Sequence, residues 1–78
     1  MREIVVYSRQ GCHLCEVMLE RVGPLCRGQA RVIVRDVDTN PDWENLYGLE
    51  VPVLMLDGEE VCRYQFDEAA FVAALNHE

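Results

Sequence analysis

The chain has 78 residues, half of them hydrophobic, with 14 acidic and 7 basic side chains and a formal net charge of −7. That length allows one compact domain, residues 1–78, and the hydrophobic content excludes a disordered chain. An acidic surplus without any basic cluster excludes a nucleic-acid partner, and no apolar run reaches the roughly 20 residues of a membrane span.

The start Met leads directly into an apolar strand, "MREIVVYS", with no secretory leader or cleavage site, so the expected location is the cytoplasm. Thiols are kept reduced there. The four cysteines therefore do not read as a structural disulfide framework.

Ile4–Tyr7 is apolar at successive positions, which predicts a strand covered on both faces. Ser8–Gly11 reads as a loop. From Cys12 a helical period begins, with Cys15, Met18, Leu19 and Val22 on one face and Glu16, Glu20 and Arg21 off it. Gly23-Pro24 is expected to stop that helix.

Val32–Val34, with Val37, predicts a second strand. Asp38-Thr39-Asn40-Pro41 is turn chemistry that can cap a following helix, Asp42–Tyr47, closed by Gly48. Val51–Leu56 predicts a third strand with a Pro at its start, where a missing N–H is tolerated. Asp57-Gly58 is a tight-turn signal, and Glu60–Tyr64 returns as an antiparallel fourth strand. Asp67 caps a last helix through Asn76, and Phe66 can pack on Phe71 as a hydrophobic staple.

The order is strand, helix, strand, short helix, strand, strand, helix. The first strand–helix–strand unit requires parallel strands with a right-handed crossover, and the hairpin adds two antiparallel ones. The predicted fold is α/β, a mixed four-stranded sheet with helices on both faces.

On this scaffold Cys12 lies at the N-terminal end of the first helix and Cys15 one turn in. Unpartnered N–H groups and the positive end of the macrodipole favour a thiolate at Cys12. A Cys so placed in a Cys-x-x-Cys motif can have its pKa lowered to roughly 3.5–7.5. Cys15, on the inward stripe, is expected to be buried and less nucleophilic. Such an inequality suits thiol–disulfide exchange: Cys12 attacks a disulfide, and Cys15 then resolves the mixed disulfide.

"VVYSRQGCHLC", "NPDWENLYGLEVPVLMLDGEEV" and "FDEAAF" together resemble the small glutaredoxin-like proteins of the thioredoxin-fold superfamily, over nearly the whole chain. Val51-Pro52, about 40 residues after Cys12, strengthens the resemblance. It implies a thioredoxin-like fold and a thiol–disulfide oxidoreductase acting on disulfide-containing proteins or glutathione mixed disulfides. Cys12 and Cys15 would be catalytic. Pro52 would be cis beside Cys12, and the Val51 backbone would pair with an extended peptide or glutathione. Asp67 matches the family's acidic position. From their own chemistry, Arg9 reads either as a cation for a carboxylate or the thiolate or as plain surface, and His13 either as support for the thiolate when protonated or as an exposed side chain that tunes little.

The chain also departs from the family pattern. His13-Leu14 replaces Pro-Tyr between the thiols, Arg9 stands where Lys is usual, and Arg63–Asp67 lacks the glycine pair that holds a glutathione carboxylate. No resident cofactor is expected, with glutathione a candidate reductant, and the protein is expected to act as a monomer.

Two other functions compete. An iron–sulfur or metal carrier finds only half a tetrahedral site in Cys12 and Cys15, since Cys26, past the expected end of the helix, is too distant to share a metal. A thioredoxin-fold binding module would carry inert thiols. Cys26 reads as incidental, Cys62 as a buried small hydrophobe with a second redox role as the alternative, and Tyr7 and Trp43 as packing.

Overall fold

The computed structural model describes residues 1–77. It contains β1 (Arg2–Ser8), α1 (His13–Cys26), β2 (Ala30–Asp36), a 3-10 turn (Val37–Thr39), α2 (Pro41–Tyr47), β3 (Val53–Leu56), β4 (Glu59–Arg63) and α3 (Glu68–Asn76). The sheet order is β2-β1-β3-β4. β1 runs parallel to β2 and antiparallel to β3, and β3 pairs antiparallel with β4.

Alternation along the central strands divides the core into two layers. Ile4 and Val6 of β1, with Leu54 and Leu56 of β3, meet Met18 and Val22 of α1 and Phe71 of α3. Val5, Tyr7 and Val53 face the other way, onto Val37, Trp43 and Tyr47. The apolar run of β1 is thus covered on both sides. Tyr7 stacks on Tyr47 with ring centroids 4.2 Å apart and meets the Trp43 ring edge at 5.8 Å.

Three expected boundaries differ. Gly23-Pro24 does not end α1, which continues to Cys26 with Pro24 inside it. Pro24 lies in the last turn, so only one internal hydrogen bond is forgone. The buried stripe of Cys15, Met18 and Val22 extends to Cys26, and Gly28 at φ 78° supplies the left-handed turn beyond. Cys26 therefore belongs to the helix rather than lying past its end.

Val37 does not continue β2. It opens the 3-10 turn and is fully buried. The fourth strand ends at Arg63 because Tyr64 turns to φ 69°. A register shift opposite Leu54 and Met55 lets both Val61 and Cys62 pack on the Phe71 layer.

The caps follow the sequence closely. Asn40 Oδ1 accepts the Asp42 N–H at 2.9 Å, and Asp67 Oδ1 accepts the Ala70 N–H at 3.0 Å. Phe66 packs on Phe71, centroids 5.7 Å apart. No helix among the described residues is long and apolar enough to cross a membrane.

Candidate functional site

Strand pairing brings three loops to one end of the sheet. Tyr7 pairs with Val53, and Val53 with Arg63, so the segment after β1, the segment before β3 and the segment after β4 adjoin. Cys12 lies in the first, Val51-Pro52 in the second, and Tyr64–Asp67 in the third.

Gly11 adopts φ 76°, which a side chain would resist, and turns the chain into α1. Cys12 is the N-cap of that helix, with extended backbone at φ −92° and ψ 108°. Its Sγ accepts the Cys15 N–H at 3.2 Å, and its carbonyl accepts the Glu16 N–H at 3.1 Å. The sulfur thus takes the place of a capping oxygen and faces the positive pole of the helix.

Cys12 and Cys15 are joined as a disulfide, with Cα atoms 5.2 Å apart. Cys12 is half-buried, whereas Cys15 is only 2% exposed. One sulfur is reachable and the other lies beneath it, the inequality that sequential exchange at a dithiol requires.

The remaining residues singled out in the sequence are placed as follows. His13 is exposed in the first turn of α1. The Val51–Pro52 peptide bond is cis. Pro52 is buried, Val51 half-buried, and the Pro52 carbonyl accepts the Tyr64 N–H at 2.7 Å. Asp67 is exposed, with its carboxylate engaged as the α3 cap.

Arg9 is already engaged. Its Nε donates to both Asp38 oxygens at 3.1 Å, and its Nη1 donates to the Gly48 carbonyl at 3.1 Å. The Asp38 hydrogen bond raises the Arg9 pKa, with further help from the charges of Asp38, Glu44 and Asp36. The Arg9 carbonyl accepts the Cys12 N–H at 3.3 Å, so this residue ties the Cys12 loop to the end of α2.

Asp38 as partner to Arg9 was not identified from the sequence, where it read as turn chemistry. Nor was Tyr64, whose left-handed backbone sits beside Pro52. No local pattern marks either, because each depends on a neighbour far along the chain.

The other two cysteines stand apart from the pair. Cys26 is buried, and its thiol donates weakly to the Gly23 carbonyl at 3.6 Å. Cys62 packs on the Phe71 layer. Burial raises its pKa, against a hydrogen bond from the Asp67 backbone that lowers it. Among the described residues no three His, Cys, Asp or Glu side chains gather to hold a metal ion. A cavity of about 300 Å³, lined by Arg2, Leu56, Glu60, Ala74 and His77, opens at the opposite end of the sheet from Cys12.

Comparison with known proteins gives a consistent result. The family described as "Glutaredoxin-like domain (DUF836)" matches residues 3–76. Protein Ne2328 of Nitrosomonas europaea, solved by NMR, is similar at 36% identity, covering 96% of this chain and 92% of its own, with a TM-score of 0.84. The X. campestris protein XcR50 is similar at 30% identity over 94% of this chain and 95% of its own, TM-score 0.74. A mutant thioredoxin from Halobacterium salinarum is 29% identical over 95% of this chain and 71% of its own, TM-score 0.67. No curated protein matches the sequence.

Proposed function

Since the chain belongs to the glutaredoxin-like domain family and has the thioredoxin-like fold, we propose that it is a thiol–disulfide oxidoreductase that works through Cys12 and Cys15. The observation that carries this reading is the pair itself: a half-exposed cysteine at a helix N-cap, bridged to a buried one a turn below.

In the reduced protein the Cys12 thiolate is stabilised by the Cys15 N–H and the helix dipole. It attacks one sulfur of a substrate disulfide and expels the other as a thiolate. The Cys15 thiol, losing its proton to solvent, then attacks the Cys12 sulfur and releases the second substrate thiolate. The substrate gains two electrons, and the protein is left with the Cys12–Cys15 disulfide. A dithiol or two monothiols must return those electrons, and glutathione is a candidate donor.

Val51 precedes the buried Pro52 at the rim, where its backbone is available to an extended peptide. His13, in the first helical turn, adds positive charge near the thiolate when protonated. Asp67 keeps the α3 N-terminus in place at the same rim. Arg9 acts here by holding the Cys12 loop rather than by offering a free guanidinium. The two unpaired thiols, Cys26 and Cys62, suit a reducing compartment such as the cytoplasm.

The test is turnover of a mixed-disulfide substrate by wild type, Cys12→Ser and Cys15→Ser. Cys12→Ser is expected to lose activity, and Cys15→Ser to accumulate a covalent adduct visible by mass. Undiminished turnover in Cys12→Ser would overturn the reading.

A further inference from the structure

If the pair works as proposed above, the surroundings of Cys12 also select its substrate. Two sets of hydrogen bonds tie the rim segments together. The Cys12 N–H donates to the Arg9 carbonyl, the Arg9 side chain to the Gly48 carbonyl, and the Tyr64 N–H to the Pro52 carbonyl. Leu49 follows Gly48 and is 96% exposed, and Tyr64 is 52% exposed. An exposed leucine and an exposed aromatic thus flank Val51-Pro52.

Tyr64 is the more telling of the two. Its backbone is left-handed at φ 69°, where glycine is the unstrained choice. Strain at a non-glycine residue marks a position where the side chain serves a purpose.

The charges at this rim are consistent with that picture. Arg9 is held by Asp38, with Asp36 and Glu44 close by. Arg63 is held by Glu60, with Glu50 close by. Arg35 lies over the Tyr7 and Trp43 rings and donates to the Tyr7 hydroxyl. The α3 N-terminus is capped by the Asp67 carboxylate. The arginines Arg9, Arg35 and Arg63 are therefore committed within the chain, in a protein of net charge −7.

We propose that the preferred substrate is an extended polypeptide disulfide, neutral or basic, with an apolar residue beside its cysteine, seated on Leu49 and Tyr64, and that Asp38 excludes anionic substrates by occupying Arg9. Glutathione carries a carboxylate at each end, and the guanidinium groups of Arg9, Arg35 and Arg63 are already engaged. The electron balance is that of the proposed exchange: the peptide disulfide is reduced to two thiols and Cys12–Cys15 is oxidised.

The experiment is a single turnover of the pre-reduced full chain under argon, quenched with an alkylating agent, with Cys12–Cys15 disulfide formation read by mass. The oxidants are glutathione disulfide, the disulfide-linked dimer of acetyl-Ala-Cys-Leu-Lys-amide, and the same peptide with Glu in place of Leu and Lys. Each rate is normalised to that oxidant's rate with dithiothreitol. The Leu-Lys peptide is expected to react about ten-fold faster than either anionic oxidant. Leu49→Ser and Tyr64→Gly should each shrink that preference several-fold, although Tyr64→Gly relieves backbone strain and should not lower the melting temperature. Asp38→Asn should raise the glutathione rate relative to the Leu-Lys peptide.

A glutathione rate equal to or above that of the Leu-Lys peptide, or a preference unmoved by Leu49→Ser and Tyr64→Gly, overturns the selectivity and leaves the oxidoreductase reading standing. Failure of all three oxidants to oxidise the pair in the wild-type chain overturns both.

Discussion

Cys12 acquires its character from where the chain turns. Gly11 at φ 76° makes the bend, the sulfur becomes a helix cap, and the Cys15 N–H points at it. None of this needs a neighbouring guanidinium, and Arg9, three residues before Cys12, is turned toward Asp38 and Gly48. Asp57 shows a second residue-scale effect. Its carboxylate accepts the Glu3 N–H at 3.0 Å and the Arg2 Nε at 2.8 Å. The Glu3 hydrogen bond, followed by that of Arg2, lowers its pKa. A carboxylate with a depressed folded-state pKa stabilises fully above its unfolded pKa, and that stability is lost as pH falls through the folded value. Acid titration of unfolding should therefore show a loss below the ordinary aspartate range. Asp57→Asn, which tolerates the same φ of 51°, should flatten that part of the curve. An unchanged acid profile in the variant would contradict the assignment.

At the scale of elements, the caps carry more than the helix interiors. α3 has only nine residues, and its start depends on Asp67 and on the Phe66–Phe71 contact. Asp67→Ala should cost about 1 kcal/mol by chemical denaturation, the usual magnitude for a lost N-cap. Asp67→Asn should cost far less, because it keeps the acceptor. Equal losses in the two variants would show that the cap bond is not the cause. Element order, both caps and the site-bearing loop were legible in the sequence, because each rests on local chemistry: β-branched runs, Asx caps, Asp-Gly and Cys-x-x-Cys. The end of α1 was not, since Gly23-Pro24 is a local stop signal that burial of Cys26 outweighs. The Arg9–Asp38 pair and the left-handed Tyr64 were not legible either. Each is set by a partner that only the folded sheet brings close, Asp38 in one case and the Pro52 carbonyl in the other.

The whole molecule is small, and its core is split by the sheet. Phe71 is the largest fully buried side chain and lies where α1, α3 and the sheet converge. Phe71→Ala should cost about 3–5 kcal/mol, a large share of the stability of a domain this size. A loss under about 1 kcal/mol would mean that the Phe71 layer is not the core. The sheet also places the chemistry at one end and the 300 Å³ cavity at the other. Changes around Arg2 and His77 should therefore alter stability before they alter exchange.

Reactivity of the two sulfurs, measured on one reduced sample, tests the central claim most directly. Iodoacetamide labelling of the pre-reduced protein, followed by peptide mass mapping across pH, gives a rate for each cysteine. Cys12 should label first, with a midpoint below the value of about 8.5 for a free cysteine, while Cys15, Cys26 and Cys62 label slowly. A Cys12 rate no faster than that of a free cysteine, or Cys15 labelling ahead of it, would contradict the account.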